Sequence, residues 1–228
     1  MEGRLFTFLG AIGGHSQEWI TLSHYALVLV ILFLVVNAAT RKMTLVPTGA
    51  QNMMEAFIGG IIAMGADTMG EKNARTYLPL IGSFALVIFL SNIMGVIPGF
   101  ESPTANINFT LALALIIFTY YNYVGIKLNG VINYFKHFMG PMPILAPLMF
   151  PIEIISHLSR IISLSFRLFG SIRGDDMFLM VLLMLVPWLL PLPGFFLLAA
   201  FGLLQAFIFS ILSYVYIAGS VMMAEEEH

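Results

Sequence analysis

The 228-residue sequence contains no cysteine. That excludes a disulfide framework, a thiolate metal site and a cysteine nucleophile. Charge is scarce too. Asp, Glu, Lys and Arg together make up 10% of the residues, where a soluble domain carries about 25%. So few charges cannot clothe a surface that faces water. The net charge of −2 leaves no basic patch, which argues against nucleic acid as a partner. Five histidines are scattered along the chain without HExxH or a similar metal spacing, and neither a P-loop nor GxSxG occurs. No metal or cofactor is expected, and no soluble catalysis.

What is plentiful is apolar: 59% of the residues are hydrophobic. Lipid is therefore the main solvent expected for this chain. Its length suits one domain over residues 1–228. Met1 to Gly14 carries a single arginine, and its short apolar run is broken by Gly10, Gly13 and Gly14. It does not fit a signal peptide, so residues 1–19 read as an external surface segment.

A membrane-crossing helix needs about 20 apolar residues. Ile20 to Ala39 is the first, closed by Arg41 and Lys42. Tyr77 to Ile97 is the second, ended by Pro98-Gly99, and Phe109 to Ile126 the third, followed by Lys127. Pro141 to about Leu190 is too long for one perpendicular crossing and is interrupted by polar residues. The last runs from Phe195 to Met223, before the polar tail Glu225-Glu226-Glu227-His228. Between the first two, Pro47 to Gly70 mixes apolar residues with Gln51, Asn52, Glu55 and Asp67. That mixture reads as an amphipathic helix on the membrane surface, an ordinary solvent loop being the alternative. The fold expected is an all-α polytopic membrane protein with about five membrane helices plus a surface helix. Its parts are a first span at 20–40, the surface helix at 47–70, a helical hairpin at 76–126 and a long helix pair at 141–223.

The basic residues orient it. Arg41, Lys42, Lys72 and Arg75 follow the first span, and Lys127 and Lys136 the third. The connections Pro98 to Pro103 and Pro187 to Gly194 contain neither Lys nor Arg. By the positive-inside rule the N-terminus lies outside and the C-terminus in the cytoplasm. No internal repeat is visible, unlike many secondary carriers.

The informative segment is PIEIISHLSRIISLSFRLFGSIRGDD, Pro151 to Asp176. A charge at bilayer depth is costly, so an ionisable residue there is a functional candidate by default. Taking about 100° per residue and placing Arg167 at zero, Glu153 falls at about +40°, Ser156 at about −20° and Arg160 at about +20°. Ser163 falls at about −40° and Ser171 at about +40°, with Gly170 and Gly174 within about 60°. One face thus joins a carboxylate, hydroxyls, two guanidiniums and small residues. Leu158, Ile162, Leu164, Phe166 and Phe169 cover most of the rest. Asp176 falls at about 180°, on the opposite face. An arginine keeps its charge in any such setting, and one turned to lipid is unfavourable by about 2.5–3.5 kcal/mol or more. Small neighbours let another helix come close. The pattern describes a fixed positive charge facing a partner surface. Arg160, Arg173 and Glu153 could equally sit at the two interfaces, the arginines snorkelling. In the last span, Gln205 stands amid apolar residues and requires a hydrogen-bond partner. From the residues alone three roles stay open: part of an ion-conducting complex, a stand-alone carrier with Glu153 and Asp176 as proton sites, or a scaffold in which the stripe only joins helices.

PIEIISHLSRIISLSFRLFGS and LQAFIFSILSYVYIAG resemble the two signature segments of subunit a of F-type ATP synthases. YLPLIGSFALVIFLSNIMGVIPGFESPTANINFTLALAL is similar to that family's paired middle helices, and the likeness runs from about Pro47 to the end. The resemblance implies a non-catalytic membrane-sector subunit, with nucleotide sites on other subunits. Its last two helices would be long and tilted against a ring of c subunits, with b subunits of the peripheral stalk as further partners, in a bacterial inner membrane. Arg167 matches the family's essential arginine, which faces the ring carboxylates and separates two proton half-channels. Glu153 and Asp176 match path carboxylates, Gln205 matches the glutamine packed opposite the arginine, and Ser156, Ser163 and Ser171 take polar positions on the path. The chain departs from the family in three places. Ser171 stands where asparagine is usual. Arg173 is an unusual charge beside Asp175 and Asp176, a candidate partner for either, and leaves open which aspartate titrates. Leu198 occupies a position where some members carry histidine.

Overall fold

The computed structural model describes residues 17–41, 43–47, 49–131, 134, 146–185 and 191–225. The expected external segment therefore lies outside the described residues up to Ser16. So do most of the connection carrying Lys136, residues 186–190 and the last three residues of the tail. The described residues form six α-helices and no strand. They are α1 (Gln17–Thr40), α2 (Ala50–Met69), α3 (Glu71–Val96), α4 (Ile107–Asn129), α5 (Ala146–Leu185) and α6 (Pro191–Glu225), with a 3-10 turn at Pro103–Ala105.

Among the described residues, four stretches are long and apolar enough to cross a bilayer: Trp19–Thr40, Glu71–Val96, Ile107–Asn129 and Pro193–Val221. The chain is a polytopic helical membrane protein. α5 is the fifth long helix and carries Glu153, Arg160, Arg167, Arg173, Asp175 and Asp176. At 40 residues it is roughly 60 Å long, about twice the hydrocarbon thickness.

The helices start and stop for local reasons. α3 begins at Glu71, not at Tyr77, because Glu71 ties Arg75 one turn on, at 2.8 Å, and a carboxylate suits a helix N-terminus. Gly70 separates α2 from α3 with φ +80, a left-handed conformation that favours glycine. Its N–H still closes α2 onto the Ala66 carbonyl at 2.9 Å. α4 opens with Asn106, whose side chain accepts from the Asn108 N–H at 2.9 Å, a regular N-cap bond.

The core lies among α3, α4, α5 and α6, with Ile81, Ile88, Ile117, Leu168, Phe209 and Ile217 fully enclosed. α6 packs along α3, α4, α5 and α2. Lipid tails are as apolar as these side chains, so close approach and buried polar contacts must hold the helices together. Both occur. At Gly65 of α2, a Cβ would lie 2.6 Å from the Tyr214 ring of α6 and 2.9 Å from the Ala74 methyl of α3. The Tyr214 hydroxyl donates to the Ala74 carbonyl at 3.3 Å. The helix expected between the first two spans is thus docked onto α3 and α6.

Candidate functional site

α5 is an unbroken helix through Pro151 to Asp176, so the angular pattern read from the sequence applies along its whole length. His157, Ile161, Leu164, Ser165, Leu168 and Ile172 are buried against the bundle. Arg167 and Ser163 are exposed, and Glu153, Ser156, Arg160 and Ser171 half-exposed. The polar stripe therefore turns away from the body of the chain. Arg167, near the middle of α5, makes no hydrogen bond or ion pair with any described residue. Gly170 and Gly174 have no neighbour within 4 Å of a built Cβ, so the surface beside Arg167 is open. Phe166 and Ile162, both more than half exposed, extend that outer surface with apolar side chains.

Gln205 is buried on α6 and is not hydrogen-bonded to Arg167. The other polar groups after it serve the fold. Ser210 and Ser213 donate to the Ala206 and Phe209 carbonyls of their own helix, at 2.9 and 2.8 Å. Ser171 likewise donates to the Leu168 carbonyl at 3.2 Å.

Eight and nine residues beyond Arg167, Asp175 and Asp176 line a cleft with Asn92, Gly95, Ser102, Leu198 and Gly202. A polar lattice frames it. Asn92 donates to the Gly202 carbonyl at 3.0 Å and accepts from the Thr104 hydroxyl at 2.7 Å. Ser102 donates to the Ser91 carbonyl at 2.9 Å. Gly202 permits this: a Cβ there would meet the Asn92 Cβ at 2.9 Å. Arg173 joins the lattice from α5, its Nε donating to the Ala105 carbonyl at 3.0 Å and Nη2 lying 4.0 Å from Glu101. Its closest partners are thus in the α3–α4 turn and not the neighbouring aspartates. Asp175, two residues on, projects to another side of the helix, while the turn docked on α5 brings Ala105 and Glu101 to the guanidinium.

Toward the other end, Glu153 Oε1 lies 3.4 Å from His157 Nε2, and His157 Nδ1 lies 2.7 Å from the Tyr121 hydroxyl of α4. The Arg160 guanidinium sits over the Tyr216 ring of α6, 5.7 Å from the centroid, a cation–π contact. Ile161, Leu164 and Phe118 close this pocket.

Seen as a whole, α5 presents a bare cation between two carboxylate-bearing clusters that reach into the bundle at opposite ends. The ATP synthase A chain description matches residues 21–218. ATP synthase subunit a of Aliarcobacter butzleri is 82% identical over 228 residues, covering all of both chains. That of Nitratiruptor sp. is 58% identical over 226 residues, 99% of each chain, and that of Campylobacter jejuni 59% over 222 residues, 97% of this chain and 98% of the other. The chain belongs to the ATP synthase A chain family.

For a member of that family, two groups of residues here were not foreseen from the sequence. His157 and Tyr121 are one; the lattice of Asn92, Glu101, Ser102 and Thr104 is the other. Glu153 and His157 stand four apart, a spacing legible along one helix. The partners of Arg173 come from the α3–α4 turn and Tyr121 comes from α4, and these leave no such trace. Ser165 and Thr110, with hydroxyls 3.1 Å apart, belong to the same unread class.

Proposed function

We propose that this chain is the non-catalytic stator subunit of an ATP synthase membrane sector, carrying two proton half-channels separated by Arg167. Arg167, exposed and without a hydrogen bond or ion pair among the described residues, carries this reading. A guanidinium stays ionised, and at bilayer depth it is held at a cost, so its counter-charge belongs to another subunit. The proposed partner is the ring of c subunits, against which α5 and α6 lie tilted, with b subunits of the peripheral stalk nearby. A ring carboxylate arrives protonated because a lone buried charge is unfavourable. Beside Arg167 its ionised form is favoured, and the proton leaves by one half-channel. Rotation carries the site on to be reloaded from the other. The membrane potential supplies about 2.3 kcal/mol per charge per 100 mV, which sets the direction. Asp175 and Asp176, with Ser171, line one proposed path; Glu153, Ser156 and Ser163 line the other. Gln205 packs behind the arginine.

The proposed setting is a bacterial inner membrane with the N-terminus outside and the C-terminus in the cytoplasm. Glu153 then lies toward the cytoplasm and Asp176 toward the outside. Nucleotide chemistry sits on other subunits. The test is a purified, reconstituted complex carrying Arg167→Ala. Proton-driven ATP synthesis should fall to background while the complex stays assembled. Synthesis at the normal rate would refute the reading. Substrate uptake by the isolated chain in liposomes would favour a stand-alone carrier instead.

A further inference from the structure

The half-channel reading gives no part to two deeply enclosed titratable groups near Glu153. His157 is 6% exposed and Tyr121 2%. Both belong to the contact between α4 and α5, and their rings stack with centroids 5.6 Å apart. The Tyr121 hydroxyl meets Nδ1 at 2.7 Å, which fixes the imidazole in its plane. That leaves Nε2 directed at Glu153 Oε1, 3.4 Å away, and the Glu153 side chain is one-third exposed. A buried nitrogen is thus linked to a carboxylate that reaches the outer surface of α5.

The surroundings are otherwise short of groups that could do the same work. From α4 the pocket is faced by Tyr121 and Phe118, and from α6 by Tyr216. On α5 the charged neighbours are Glu153 and Arg160, and Arg160 is placed over Tyr216. Tyr134, just beyond α4, donates its hydroxyl to Asn122 at 2.6 Å. Among the described residues here, His157 is the one side chain whose ordinary titration falls between about pH 5 and 8.

We propose that His157 and Glu153 form a proton-holding pair on the Glu153 half-channel, with Tyr121 as its positioning residue. The Tyr121 oxygen accepts from Nδ1–H, so Nε2 is the exchanging atom. The protonated carboxyl of Glu153 passes its proton to Nε2, giving a carboxylate beside an imidazolium; the reverse transfer restores the acid and the neutral ring. One proton is held in either form, and it leaves to water from Glu153. A carboxylate alone would hold a proton weakly near neutral pH, and the imidazole beside it extends the range over which the path stays loaded.

The inference rests on the half-channel reading, and the experiment separates the two. The whole complex is reconstituted into vesicles, and ATP-driven proton pumping is followed while pH on the Glu153 side is varied between about 5.5 and 8.5. The wild type should show an inflection within that range. His157→Gln should lower the rate several-fold and remove the inflection. Tyr121→Phe, which keeps the ring, should retain the inflection at a displaced pH. A His157→Gln profile that superimposes on the wild type overturns the proposal. So does reduced assembly with an unchanged profile per assembled complex, which would make His157 a packing residue only. Arg167→Ala vesicles from the same preparation report on the underlying reading: pumping that persists there defeats it whatever His157 does.

Discussion

The two ends of α5 solve one problem in different ways. Beyond Arg167, the carboxylates Asp175 and Asp176 make no hydrogen bond or close ion pair among the described residues. The frame around them is instead fully engaged: Asn92, Ser102, Thr104 and Arg173 bond to one another or to main-chain carbonyls. Before Arg167, the carboxylate Glu153 is itself partnered, by His157, and the surrounding frame is aromatic. Backbone-anchored polar bonds fix a cleft and leave its acids free. Aromatic packing fixes a ring and lets that ring engage its acid. Between them Arg167 makes no hydrogen bond or ion pair with the described residues. The asymmetry fits a path whose two halves exchange protons with different surroundings and must not touch each other.

The strongest way to break this comparison is to remove its divider. Arg167→Ala should abolish proton-driven ATP synthesis, and Arg167→Lys should recover little, because an ammonium is a point charge and not a planar fork. Both are read in the reconstituted complex, with nucleotide hydrolysis by the soluble sector as the control for assembly. If Arg167→Lys worked as well as arginine, a simple positive charge would suffice and the geometry of the fork would be irrelevant.

Asn92→Ala strikes the frame of the cleft and leaves the other end intact. It removes two hydrogen bonds in a buried site, one to the Gly202 carbonyl and one from the Thr104 hydroxyl. Each is worth about 0.5–1.5 kcal/mol. Thermal unfolding of the purified complex should show that loss, with synthesis reduced through the distorted cleft. Tyr121→Phe removes the hydroxyl that meets His157 and should cost about 0.5–1.5 kcal/mol per hydrogen bond lost. Equal losses from the two substitutions would erase the distinction between a polar frame and an aromatic one.

How much of this was legible in the sequence follows from the range of each signal. The crossings were readable because twenty consecutive apolar residues constrain the answer locally, and Gly70 and Pro98-Gly99 mark the breaks. The start of α3 was not, because Glu71, Lys72 and Arg75 look like a loop until their pairing along a helix is known. The outward turn of Arg167 was legible from the 3.6-residue period, since every member of the stripe lies on one element. Arg173 shows the limit. The sequence sets it beside Asp175 and Asp176, and only the docking of the α3–α4 turn on α5 brings Glu101 and Ala105 to it. Tyr121 and His157, thirty-six residues apart, meet for the same reason: two helices must pack before the contact exists.

Arg173→Ala should have a moderate effect, since it removes the hydrogen bond to the Ala105 carbonyl and the charge near Glu101 together. Synthesis should fall measurably with only a small loss of thermal stability.

The smallest effect should come from Glu101→Gln. Its carboxylate is 4.0 Å from Arg173, and the two side chains are 34% and 45% exposed. Such a pair is worth less than about 1 kcal/mol and weakens in salt. Glutamine keeps the shape and leaves the Arg173 to Ala105 bond in place, so the turn should stay docked. Thermal stability should remain within about 0.5 kcal/mol of the wild type. What changes is the charge near the mouth of the cleft: Arg173, no longer shared with Glu101, acts more strongly on Asp175 and Asp176. The expected signature is a displaced dependence of synthesis on pH at the Asp176 side, with the Glu153-side profile unaltered, and the displacement should shrink as salt is raised. A loss as large as that of Arg173→Ala would mean that the ion pair, and not the main-chain hydrogen bond, holds the turn. The Asp176 end would then depend on a paired acid just as the Glu153 end does, and the contrast between them would dissolve.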